Sequence, residues 1–237
     1  MKKKNRIWHC LLISMGFVLI LSNSCKKDDK KNDSTPVPTP TTITDIDGNV
    51  YHTVTIGTQV WLVENLKVTR YRNGDSIPNI TNNTQWGNLT IGAYGDYDNT
   101  PSISATYGKY YNWYAVKDSR NIAPVGWHVA TDAEWIKLLS YLGNEYVAGG
   151  KLKEADTTHW LSPNTGATNE TGFTALPGGF RYTDGKSYYI GSFGYWWGTT
   201  EYDTDNVYGW MMDSESSIVG SFPCTKAHGM SVRCVRD

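Results

Sequence analysis

"GWHVATDAEW", residues 126–135, holds the plainest helix start in this chain. Thr131 followed three residues later by Glu134 is a capping box, in which each side chain takes the other's backbone amide and two orphan donors are satisfied. Trp135, Leu138, Leu139 and Leu142 then fall on one face at i, i+3, i+4 and i+7, and Gly143 ends the run. The spacing predicts one amphipathic helix packed on a sheet. A shorter second helix over 146–155 is weakened by Gly149 and Gly150.

Upstream, "DIDGNVYHTVTIGTQVWLVENL" (45–66) places an Asp47-Gly48 turn before a β-rich run from Val50 to Ile56. A Gly57-Thr58 turn and a second run from Val60 to Val63 complete a hairpin. Residues 72–106 are rich in Asn, Gly, Asp and Thr, which predicts long ordered loops with at most short strands, anchored by Ile77, Trp86, Leu89 and Ile91. Downstream, "GFTALPGGFRYTDG", "SYYIGSFGYWWGTTEY", "VYGWMMDSES" and "GMSVRCVRD" read as strands and turns without a strict repeat. One strong helix among many short strands gives an α+β class, with the helix against antiparallel strands.

Composition agrees with loop-rich β structure: ten Trp, sixteen Tyr and 23 Gly stand against only five Phe in 237 residues. Before this globular part, Lys2, Lys3, Lys4 and Arg6 precede an apolar run from Ile7 to Leu21. That run is shorter than the roughly 20 residues a membrane span needs, so residues 1–24 read as a secretory signal. "LSNSC" resembles a bacterial lipobox, with Ser22 where a larger apolar residue is usual, and makes Cys25 the lipid-attachment residue. Lipidation would hold the chain on a membrane through at least two acyl chains.

Residues 25–42 combine "KKDDKKND" with "STPVPTPTT". The charged part resembles the export signal of surface lipoproteins in Bacteroidetes, against the plain alternative of a solvated charge run. The Pro/Thr part predicts an extended spacer, which at roughly 3.1 Å per residue spans about 50 Å with its charged neighbour. The folded domain is expected over 43–237. Removing residues 1–24 takes four of the 22 basic residues and none of the 23 acidic ones, which leaves 18 against 23, net −5. An acidic balance argues against a nucleic-acid partner.

Nearly the whole stretch from Thr44 to Asp237 resembles the major paralogous family first named from Fibrobacter succinogenes. The matching pieces include the hairpin at 45–66, "YGKYYNWYAV", "GWHVATDAEW", "GGKLKE", "SPNTGATNETGFTALPGGFRY", "YWWGTTEY" and "VRCVRD". The resemblance implies a C-type-lectin-like fold, similar also to formylglycine-generating enzymes, with small twisted antiparallel sheets, one main helix and long ordered loops. It implies no activity.

The enzyme reading needs residues that the chain does not supply in recognisable form. Formylglycine formation uses two closely spaced thiolates on copper, whereas Cys224 and Cys234 lie ten positions apart. An oxidising compartment and a turn centred on Gly229 predict instead a disulfide between them. His52, His128, His159 and His228 are isolated, so no metal triad can be read. There is no Gly-x-Ser-x-Gly elbow and no phosphate loop. No cofactor is expected; calcium held by the carboxylates of "EYDTDN" (201–206) stays open.

For binding, rings crowd the segment from Tyr195 to Trp210. Trp197, Tyr202, Tyr208 and Trp210 are candidate stacking platforms, with Asp203 and Asn206 to fix a sugar's hydroxyls. The competing reading makes these rings packing residues, and strand alternation allows at most one of Trp196 and Trp197 into the core. The chain thus reads as a non-enzymatic outer-membrane lipoprotein facing the cell exterior and binding a glycan or a surface protein. The alternatives are an enzyme acting on an envelope polymer and a structural surface-coat protein.

Overall fold

A computed structural model describes residues 41–237. The signal segment, Cys25 and the linker up to residue 40 lie outside the described residues. The strands in chain order are β1 (Thr42–Thr44), β2 (Val50–Ile56), β3 (Gln59–Leu62), β4 (Tyr94–Gly95), β5 (Tyr110–Tyr111) and β6 (Trp127–Val129). They continue with β7 (Phe180–Arg181), β8 (Ser187–Tyr188), β9 (Phe193–Glu201), β10 (Asn206–Asp213), β11 (Val219–Thr225) and β12 (Cys234–Arg236). The helices are α1 (Asn83–Gly87), α2 (Pro101–Tyr107), α3 (Trp113–Val116), α4 (Asp132–Tyr141) and α5 (Glu145–Leu152). The class is α+β, with antiparallel sheets and few helices.

A five-stranded sheet runs β1-β2-β3-β12-β6, and a three-stranded sheet runs β11-β10-β9. The hairpin expected from Val50 to Val63 forms as β2 and β3, with Thr53 opposite Leu62 and Ile56 opposite Gln59. The C-terminal β12 returns to lie between β3 and β6, so Val235 faces both Trp61 and His128. α4 starts with both halves of its capping box in place, and Gly143 follows it at φ +119. Residues 72–106 are less irregular than expected. They carry α1, β4 and α2, which span five, two and seven residues and are too short to show a period.

Two apolar clusters share the central strands. β9 sends Trp196 into the cluster under α4, with Trp61, Trp135, Trp160, Trp210 and Met212. It sends Trp197 into the other cluster, with Leu62, Tyr111, Trp113, Trp127 and Met230. Both indoles are 0% exposed. The expectation that only one could be core is therefore corrected: alternation does put them on opposite faces, but both faces of β9 are covered. β3 and β12 repeat the pattern, dividing Trp61 from Leu62 and Val235 from Cys234.

The predicted disulfide is also corrected. Cys224 and Cys234 are free, buried thiols. Their strands do not form a hairpin, because β11 pairs with β10 while β12 pairs with β3 and β6 in the other sheet. Cys224 donates to the carbonyl of Val207 at 3.3 Å. Burial pushes its thiol up to about 12 and raises that of Cys234 as well, so neither is a reactive thiolate at neutral pH.

Long loops leave carbonyls without ladder partners, and buried cations satisfy many of them. Lys153, fully buried, donates from Nζ to the carbonyls of Thr165, Asp213 and Ser216 at 2.8–3.1 Å. Arg233 donates to the carbonyls of Leu62, Phe173 and Thr174 and to Oδ1 of Asn65. Arg72 ties down the carbonyls of Ala123, Pro124 and Trp127. Asp132 performs the converse task at the start of α4. Its carboxylate accepts from the amides of Thr199 and Thr200 and from the Trp210 indole. A Cβ at position 198 would collide with that carboxylate, which explains glycine there.

Candidate functional site

The residues singled out from 195–210 separate in three dimensions. Trp197 donates its indole N–H to the carbonyl of Tyr111 at 2.6 Å and is core. Trp210, 5% exposed, stacks on Trp135 with ring centroids 5.7 Å apart. Its edge lines a groove of about 530 Å³ between α4, α5 and β11, with Ile136, Tyr146 and Ile218. As exposed stacking platforms both tryptophans are ruled out by burial.

Tyr202 and Tyr208 meet edge to face at 5.4 Å near the β9–β10 turn, where Tyr202 is 55% exposed. Their polar neighbours are occupied. Asp203 accepts from the amides of Asp205 and Asn206 at 2.8 Å and from the Asn206 side chain at 3.0 Å. Those bonds, the Asn206 side chain first, hold its carboxyl below the usual range. Asp203 and Asn206 thus bond each other across the turn, with Asp203 itself exposed. Among the described residues no group of three or more His, Cys, Asp or Glu is arranged to hold a metal ion.

A larger aromatic surface lies immediately upstream. The β7–β8 hairpin turns through Thr183-Asp184-Gly185-Lys186, with Gly185 at φ +78. Its base is pinned by Arg181, 1% exposed, whose guanidinium donates to the carbonyls of Gly185 and Ile80 and lies 4.3 Å over the Trp86 ring. On this rigid base Phe180 packs against Tyr195 at 4.9 Å and stacks on Tyr189 at 5.9 Å. β9 contributes Phe193 and Tyr195, two residues apart on one strand face and stacked at 5.7 Å. Phe222 of β11 closes one side at 5.6 Å from Tyr195.

The exposed rings of this surface are Tyr182 and Tyr189, at 44% and 52%. Tyr189 sits at φ +67, a left-handed conformation that a bulky residue rarely adopts, so the fold holds this ring outward at a cost in strain. At the rim, the Tyr188 hydroxyl donates to Asp184 at 2.7 Å. Below Tyr182 lies His228, with ring centroids 5.0 Å apart. The surface therefore combines flat apolar faces with hydroxyl and carboxylate groups, above a buried imidazole. Of these residues only Tyr195 lies in the segment singled out from sequence. The missed signal is the run of six rings from Phe180 to Tyr195 interleaved with glycines and polar residues.

Residues 54–236, which contain this surface and most of both large sheets, match the family model of the Fibrobacter succinogenes major domain. The chain belongs to that family. No curated protein and no solved structure matches it. Membership in the Fibrobacter succinogenes major domain family agrees with the segments that carried the resemblance in the sequence, and the chemistry of the site rests on the geometry above.

Proposed function

We propose that this chain is a non-enzymatic outer-membrane lipoprotein that presents a C-type-lectin-like domain on the cell exterior, where its aromatic face binds glycan. The observation that carries the reading is the pair of half-exposed tyrosines, Tyr182 and Tyr189, held against Phe180, which meets Tyr182 edge-on and Tyr189 face-on and itself packs on Tyr195. A sugar ring lays its C–H face on a flat side chain while its hydroxyls need directional partners, and the rim of this face offers both. The lipobox-like "LSNSC" agrees with an envelope location.

A glycan array probed with the full-length chain in mild detergent tests the reading. Tyr182→Ala and Tyr189→Ala should each lose binding without loss of folding, because exposed rings contribute little to the core. Equal binding by both variants places the site elsewhere. Turnover of an envelope polymer by the wild-type chain would favour an enzyme instead. For the anchor, Cys25→Ala should abolish lipid labelling and release the protein from membranes, and unchanged labelling sinks that part.

A further inference from the structure

His228 is an anomaly in the aromatic face. It is 8% exposed, and neither ring nitrogen has a hydrogen-bond partner among the described residues. Leaving a buried polar group unmatched costs about 1–3 kcal/mol, so a phenylalanine or leucine would suit the surrounding rings better for stability alone. Its neighbours are rings of the proposed site: Phe180 meets it edge to face at 5.4 Å, and Tyr182 covers it at 34°. The segment that carries it is fixed from both sides. The amide of His228 donates to the carbonyl of Thr225, and Gly229 exchanges backbone bonds with Arg181. The imidazole is thus held rigidly at the floor of the face, under a side chain that is itself half exposed.

We propose that His228 supplies the directional hydrogen bond of the aromatic site, to a hydroxyl of a neutral oligosaccharide that stacks separate sugar rings on Tyr182 and Tyr189, whose planes stand steeply to each other because Phe180 meets the first edge-on and the second face-on. The assignment rests on the glycan reading and deepens it by naming a specificity-determining residue and an uncharged hydroxyl as its partner. Burial pushes the imidazole down to about 4, so at neutral pH it carries one donor and one acceptor and no charge. That pair matches a hydroxyl, which also donates and accepts. The neutral imidazole itself offers an anionic sugar no charge. Both imidazole nitrogens are buried, so the contact requires the Tyr182 side chain to swing off the imidazole when the sugar binds.

The test uses the full-length chain and three neutral probes, cellopentaose, xylopentaose and mannopentaose, with affinity and melting temperature measured together. His228→Phe keeps a flat ring and removes both nitrogens. It should lower affinity for the bound probe about 10-fold, as expected for loss of one hydrogen bond of about 1.4 kcal/mol, while melting temperature stays level or rises. In the wild-type chain, nitrogen NMR of the histidine ring should show a His228 resonance shifted by the probe, a readout independent of any variant's folding. If His228→Phe binds as the wild type does and the resonance stays put while Tyr189→Ala loses binding, His228 is a packing residue and the inference falls with the platform intact. If Tyr182→Ala and Tyr189→Ala also bind normally, the platform itself is wrong. Failure of the wild-type chain to bind any of the three probes overturns the neutral-sugar assignment.

Discussion

His228 and His128 respond to pH in opposite directions. Burial lowers His228 to about 4, against about 6.5 for an unfolded histidine. Between those values the unfolded chain binds the proton and the folded chain does not, so His228's contribution is intact above pH 6.5 and is lost as pH falls toward 4. The loss amounts to at most about 3 kcal/mol. His128 is also partly desolvated, which lowers its pKa, but Asp237 at 2.7 Å and Glu134 at 2.8 Å bond its two nitrogens and the net shift is upward. Its contribution is present below about 6.5 and lost as pH rises through its folded value. Urea titrations from pH 4 to 8 should therefore show acid destabilisation that His228→Phe reduces and His128→Gln deepens. A parallel pH profile for His228→Phe and the wild type would refute the assignment.

At the scale of elements, α4 is held by two side chains with different reach. Thr131 caps its own helix, and removing such a cap costs about 1 kcal/mol. Asp132, one position on, reaches across to the amides of Thr199 and Thr200 and to Trp210. Truncating it strands the buried Trp210 indole and two part-buried amides, together about 2–3 kcal/mol. Chemical denaturation should thus rank Asp132→Ala well below Thr131→Ala, with losses of about 2–3 and about 1 kcal/mol. Equal losses would mean that the contact between α4 and β9 carries little energy. The sequence pattern identified the cap and not the crossing, because a cap is a local relation over three residues whereas Asp132 and Thr200 are 68 positions apart.

For the whole molecule, the two-faced burial of β9 sets the tolerance to substitution. Trp197→Ala should cost about 3–5 kcal/mol by opening the core, whereas Tyr202→Ala at the exposed turn should change stability by under about 0.5 kcal/mol. Calorimetry on both variants distinguishes this from a surface role for Trp197, in which the two would behave alike. The placement of Cys224 and Cys234 in separate sheets gives an independent check on topology. Peptide mapping after alkylation should find both thiols free, protected in the native chain and labelled only after unfolding. A linked pair of peptides would require a hairpin in place of the pairing of β12 with β3 and β6.

By itself the sequence determined what local chemistry determines. Thr131 and Glu134 wrote the start of α4, Gly57 and Thr58 the turn between β2 and β3, and the alternation of Phe193, Tyr195 and Trp197 a common strand face. It also carried enough matching segments to place the chain in its family. Only tertiary structure decided which of those rings meet solvent. Tyr195 and Trp197 share a strand face, yet Trp197 lies in the interior against Tyr111 while Tyr195 meets Phe180 and Phe222 at the surface. The return of β12 between β3 and β6, which parted the two cysteines, was equally beyond sequence. Strand pairing between residues more than 100 positions apart is chosen by the competition of whole faces for burial, and no short stretch records its outcome.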